Sequence, residues 1–287
     1  MGKIIFFARV TLVIILLLVC ISCPRFKRNP NLRLLLSEEN YSLLNPRWTK
    51  DRWIYYVKCE ETGDYVEYGI GEVWRIKDNG ENKELIFPDS VAIMDISPSE
   101  TLLVVAYSNL ILFNIGTAQT ETLTTASPPN HFGLRFGFSD TFIYYLANDG
   151  IHRINIYTRN DTTIIGGVIY YFDTYRDSLI YFNQKILDIY TSTLVYESPD
   201  LIKGFFTQSR DTLLLVAERK DGLQMYDIKT GKKVKLDAKI EEITVWAELG
   251  NCIDFDPSGK QIVFCATDDV MEDGDAGPFE LWILEEF

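Results

Sequence analysis

Histidine is almost absent from this 287-residue chain: only His131 and His152 occur. Imidazole is the commonest proton shuttle near neutral pH and a frequent metal ligand, so two separated copies give either chemistry little to build on. His152 lies at an alternate position of a short apolar strand pattern and reads as a packing or edge residue. His131 follows Pro128-Pro129-Asn130 and reads as a loop residue. No His-Glu-x-x-His, Gly-x-Ser-x-Gly or phosphate-cradling glycine loop is present. Gly69-Ile70-Gly71 has no helical pattern after it and reads as a hairpin loop. Positive charge is short as well, with 28 Lys and Arg against 41 Asp and Glu and a formal net charge of −13. That balance argues against nucleic acid and against lying flat on anionic lipid. Helical heptads and low-complexity segments are missing, and no cysteine spacing suggests zinc.

What the chain does have is a repeat. Six times a turn residue and a polar or small residue run into an apolar strand. The copies are Asp51-Arg52-Trp53-Ile54, Glu100-Thr101-Leu102-Leu103, Asp140-Thr141-Phe142-Ile143, Asp177-Ser178-Leu179-Ile180, Asp211-Thr212-Leu213-Leu214 and Gly259-Lys260-Gln261-Ile262. Their last positions, 54, 103, 143, 180, 214 and 262, are 49, 40, 37, 34 and 48 residues apart. A period of about 40 residues with several strands per unit is the pattern of β-propeller blades. The fold expected is all-β: a six-bladed β-propeller over residues 32–287, with blades near 43–89, 90–127, 128–166, 167–200, 201–238 and 239–287. The last unit ends in a third strand, Glu280–Leu284, with only three residues beyond it. Because a bare sheet edge is a liability, Leu32–Leu36 is expected to close that blade from the N-terminal side.

Two resemblances add to this. Asp256-Pro257-Ser258-Gly259-Lys260 with Glu280-Leu281-Trp282-Ile283 resembles the repeat of TolB-type, WD-repeat-like propellers. Ser97-Pro98-Ser99-Glu100 and Asn45-Pro46-Arg47-Trp48 look like decayed copies. These motifs build turns and imply no activity. At the N-terminus, Lys3 and Arg9 precede the uncharged run Val10–Ile21, the length of a signal-peptide core and short of the ~20 residues of a span. Cys20-Ile21-Ser22-Cys23 resembles the lipobox of bacterial lipoproteins. It implies cleavage after residue 22, acylation of Cys23, a tether over 23–31 and a place in the bacterial cell envelope. Removing Lys3 and Arg9 takes the formal net charge from −13 to −15, so attachment would come from acyl chains and not from a basic patch.

Cys252 and Cys265 lie symmetrically about the Pro257–Lys260 turn, with Phe255 opposite Ile262 and Ile253 opposite Phe264. Two readings stay open for the pair: a disulfide, if they form a non-hydrogen-bonded pair of the ladder, or two buried thiols. The most unusual chemistry is acidic. The loop 267–277 carries Asp268, Asp269, Glu272, Asp273 and Asp275, and the equivalent loop of the first unit carries Tyr65 and Tyr68. With Trp246 these form the expected ligand-binding face, for a basic segment or for Ca²⁺. Three functions follow: a non-catalytic lipid-anchored propeller binding a protein, peptide or glycan; a propeller hydrolase or lyase using a metal; or a structural envelope component.

Overall fold

The structure is a computed structural model. It describes residues 30–60, 70–126, 129–197, 204–206, 213–218, 222–227, 232–234, 244–245, 252–267 and 278–285. Asn31–Phe287 form one compact unit. Among the described residues every regular element is a strand, and the arrangement is that of a β-propeller.

Five sheets are four-stranded blades made of consecutive antiparallel strands. The first joins β2 (Tyr41–Trp48), β3 (Trp53–Glu60), β4 (Gly71–Lys77) and β5 (Glu84–Val91). The second joins β6 (Ile93–Ile96), β7 (Leu102–Ala106), β8 (Leu110–Asn114) and β9 (Gln119–Leu123). The third joins β10 (Pro129–Phe136), β11 (Phe142–Ala147), β12 (Gly150–Asn155) and β13 (Asp161–Gly166). The fourth joins β14 (Phe172–Tyr175), β15 (Leu179–Phe182), β16 (Lys185–Asp188) and β17 (Leu194–Glu197). The fifth joins β18 (Gly204–Phe206), β19 (Leu213–Glu218), β20 (Gly222–Asp227) and β21 (Lys232–Val234). The repeat predicts six such blades; the remaining strands make a sheet of different build. There β24 (Gln261–Thr267) pairs along one edge with β25 (Glu280–Glu285). Its other edge is shared end to end by β22 (Thr244–Val245) and β23 (Ile253–Phe255). β1 (Leu32–Leu36) completes this sheet by pairing with β25, Leu32 opposite Leu284 and Leu34 opposite Trp282.

The second strands β3, β7, β11, β15 and β24 are largely apolar because both of their faces are covered. In β11, Ile143 and Tyr145 pack toward Val104 and Ala106 of the second sheet. Their neighbours Tyr144 and Leu146 pack toward Phe172 and Ile180 of the fourth. The period-2 pleat thus sends alternate side chains into two separate cores. Outer strands have one neighbour fewer, and β9 and β17 are correspondingly exposed, β9 being polar while β17 presents Leu194 and Val195. The first and last sheets share a core too, in which Leu35, Val263, Leu281 and Ile283 meet Leu43, Trp48, Ile54 and Tyr56.

Two local expectations are corrected. Asn45-Pro46-Arg47-Trp48 is not a turn: it lies inside β2, at a register shift between Leu44 and Arg47 with Asn45 at φ 54°. Pro46 is tolerated there because a bulge leaves one residue out of the ladder. The first-to-second-strand turn of that blade is Thr49–Arg52, closed by Arg52 N–H to Thr49 O. Likewise His131 falls within β10 and not in a loop.

Candidate functional site

The inner strands β2, β6, β10, β14, β18 and β23 converge on one cavity of about 330 Å³. The six repeat positions seen in the sequence locate its wall. Ile54, Leu103, Ile143, Ile180, Leu214 and Ile262 pair with Trp48, Ile96, Phe136, Thr174, Phe206 and Phe255 of those strands. One residue earlier on each inner strand stand Arg47, Asp95, Arg135, Asp173, Phe205 and Asp254. Sign alternates along this row until Phe205.

The charged members are cross-linked. Arg47 Nε donates to Asp95 Oδ1 at 2.6 Å, and Arg135 Nε donates to Asp173 Oδ1 at 2.6 Å. These four side chains are 5–11 % exposed, so the pairs are desolvated and their geometry matters. Each aspartate's second oxygen reaches the following sheet, accepting a backbone N–H. Phe136 N–H donates to Asp95 Oδ2 at 2.6 Å, Phe206 N–H to Asp173 Oδ2 at 2.7 Å and Trp48 N–H to Asp254 Oδ2 at 2.7 Å. Every aspartate of the row therefore binds one sheet to the next.

Asp254 differs in one respect. Among the described residues none forms an ion pair with it, and the equivalent place on the preceding sheet is held by Phe205. Its carboxyl is pushed up to about 7, chiefly by burial, against the Trp48 N–H and the Arg135 charge that favour the ionised form; Asp173 pushes the same way as burial. It keeps some accessible surface because it faces the cavity.

The cavity opens toward the turns between first and second strands. Here the acids of the repeat act between sheets: Glu100 accepts from Lys50 N–H, Asp140 from Ser99 N–H at 3.1 Å, and Asp177 from Phe138 N–H at 3.0 Å. Gly137 is needed for the last of these, since a Cβ there would lie 2.2 Å from Asp177 Oδ1. The turn ends of the first, second and sixth sheets take positive φ, at Arg52, Glu100 and Gly259 (64°, 60° and 69°), and only the last is glycine. Phe138, 63 % exposed, and Arg176 form part of the rim. In all, four cationic and five carboxylate side chains line the cavity, together with Trp48, Phe136, Phe206 and Phe255.

Of the residues expected to carry function, Cys23, Tyr65, Tyr68, Trp246, Asp268, Asp269, Glu272, Asp273 and Asp275 lie outside the described residues. The strand ends that lead to the two acidic loops, Glu60 and Thr267, are at the far ends of β3 and β24 from the turns that border the cavity. Among the described residues no group of three His, Cys, Asp or Glu is placed to hold a metal. Cys252 and Cys265 face each other across the ladder, but as free thiols. Cys265 N–H donates to Cys252 O at 2.9 Å, which makes this a hydrogen-bonded pair, the wider of the two kinds. The Cys265 thiol points at the same carbonyl, 3.3 Å away. His152 is a packing residue inside the third sheet: it stacks on Tyr145 and bonds Asp149, with Asp161 joining Tyr145 beside it. Sequence reasoning misses the inner-strand row, because its alternating signs give six aligned repeats no shared letter.

No protein-family model and no curated protein sequence matches the chain. Solved structures do match: a chain from the crystal structure of a nidogen/laminin complex aligns with TM-score 0.55 and 11 % identity, covering 71 % of this chain and 82 % of that one. At that identity the likeness speaks for the path of the backbone alone, and the fold to which this chain belongs is the β-propeller.

Proposed function

We propose that the protein is a non-catalytic binding module, a TolB-like propeller of six blades closed by β1, that takes up a peptide segment of a partner protein in its central cavity. The observation that carries this reading is the cavity itself: about 330 Å³, aromatic and charged at once, and bordered by turns held in place from sheet to sheet. Pockets of that size and mixed lining suit a few anchored side chains. The neighbouring fold occurs in a protein–protein complex, which fits this use. An acylated Cys23 would hold the module in the bacterial cell envelope; glycan binding, a metal-dependent hydrolase or lyase, and a structural role are the other readings.

Peptide-display selection against the mature chain tests it. Selected peptides should lose binding to a Phe138→Asp/Arg176→Glu variant and keep it when Asp268, Asp269, Glu272, Asp273 and Asp275 are made Asn or Gln. The reverse result would move the binding face to the acidic loops, where a Ca²⁺-dependent thermal shift should then appear. Cys23→Ser should abolish palmitate labelling and membrane fractionation; unchanged fractionation would overturn the anchor.

A further inference from the structure

We infer that the cavity takes the guanidinium of an arginine carried by the partner peptide, seated against Asp254 where the inner-strand pattern calls for an arginine of the fifth sheet. This rests on the binding role proposed above and names the chemistry of its ligand.

The inner-strand row supplies the template. Twice an arginine of one sheet gives its Nε to Oδ1 of the aspartate on the next sheet, while that aspartate's Oδ2 is held by a backbone N–H from the sheet beyond. Asp254 repeats the second half of this arrangement through Trp48 N–H. The first half would have to come from the residue at position 205, and phenylalanine cannot supply it. A carboxylate is thereby left facing the cavity, its Oδ2 held by Trp48 N–H and, among the described residues, without an ion pair.

The surroundings suit a guanidinium better than an ammonium or a metal ion. Phe136, Phe206 and Phe255 line the same cavity. Flat aromatic walls stack on a planar cation, and a guanidinium sheds its hydration more readily than an ammonium. The lining has one carboxylate more than it has cations. Burial, with the Asp173 charge adding to it, raises the affinity of the Asp254 carboxyl for a proton, and an arriving cation would favour the ionised form instead. The charged groups of the neighbouring inner strands are Arg47 on β2, Asp95 on β6, Arg135 on β10 and Asp173 on β14. All four are already engaged with one another, and among them only the Arg135 charge favours the ionised form of Asp254, without forming an ion pair with it.

The test uses the mature chain and a pair of N-acetylated tripeptide amides, Gly-Arg-Gly and the isosteric Gly-citrulline-Gly, uncharged at its side chain, followed by calorimetric titration. At pH 8 the arginine peptide should bind at least about tenfold more tightly than the citrulline peptide, as expected for a charge-assisted pair. Its affinity should fall about tenfold between pH 8 and pH 6 as a carboxyl titrating near 7 takes up its proton. Asp254→Asn, which keeps an acceptor for Trp48 N–H, should remove the preference for arginine. Phe205→Arg should abolish binding by supplying the charge from within. Equal binding of the two peptides, or an unchanged preference in either variant, would overturn the inference, as would tighter binding of free arginine than of the peptide. Display-selected peptides that need Phe138 and Arg176 but carry no arginine would overturn it while leaving the cavity as the binding site. An arginine peptide that binds at Asp254 while no selected peptide uses the rim would overturn the wider reading alone.

Discussion

The backbone N–H of Trp48 donates to the carboxylate of Asp254 at 2.7 Å, across 206 residues of sequence. It ties the inner strand of the last sheet to that of the first, as Asp95 and Asp173 tie theirs to the sheets that follow. Replacing Asp254 by Ala should therefore cost about 1–3 kcal/mol more than replacing it by Asn, because only Ala leaves the Trp48 N–H without an acceptor. Urea denaturation of the two variants measures the difference.

The same carboxyl makes stability depend on pH in a fixed direction. Its folded value, about 7, lies above the ordinary 3.8, so folding favours the protonated form. That contribution is complete below the unfolded value and is lost as pH rises through the folded one. Relative to Asp254→Asn, the wild type should lose stability between about pH 4 and pH 7 and then level off. Parallel thermal melts across that interval would show it; parallel curves with a constant offset would contradict it.

Arg135 joins Asp173 at 2.6 Å and also approaches Asp95 at 3.9 Å, and all three are nearly inaccessible. Truncating it to Ala leaves buried carboxylates without their counter-charge, a loss of about 3–5 kcal/mol. A surface pair offers the control. Arg159 and Glu121 are much more exposed, and Arg159→Ala should change stability by less than about 1 kcal/mol. Chemical denaturation of both variants gives the comparison.

Deleting residues 24–38 should destabilise the domain by several kcal/mol rather than merely shorten a tether. Leu35 enters the core shared by the first and last sheets, and β1 covers the free edge of β25. Arg33 also bonds Glu285 and the carbonyl of Asp78, and Glu285 N–H donates to Asn31 O. Burying one large aliphatic side chain is worth about 1.5–3 kcal/mol, before the strand's hydrogen bonds are counted. A melting temperature within a degree of wild type would contradict this role.

Thiol reagents give a further check. Cys59, Cys252 and Cys265 are buried and unbonded, and burial pushes the Cys59 and Cys265 thiols up, away from the reactive thiolate. Native protein at pH 8 should label none of the three, and denaturant should expose all of them without a reductant. Labelling of only Cys59 in denaturant would mean that Cys252 and Cys265 had paired.

Much of the fold is legible because it rests on local chemistry. Apolar second strands and the turns before them recur with the blade period, and their pairing partners follow in register from Ile54 to Ile262. The bulge at Pro46 is not legible: Asn-Pro-Arg-Trp has the letters of a turn, and only the ladder on either side shows that the strand continues. Nor is the charged row. A buried Arg or Asp inside an apolar strand looks like a flaw in the pattern until its partner 38 or 48 residues away is known. The acids of the turns stand out as punctuation, while their bonds to the previous sheet's turns can be seen only in three dimensions. The acidic loops draw attention through charge density, whereas the cavity is built from residues that are individually ordinary.

The alternation of arginine and aspartate has a bearing on how such a molecule can be lengthened or shortened. Excising the second or the third unit alone would bring two like signs side by side in a desolvated interior: without the second, Arg47 would face Arg135. Removing the second and third together would set Arg47 beside Asp173 and keep opposite signs adjacent. The second and third units thus belong together, and a variant lacking both should assemble where one lacking only the second would not.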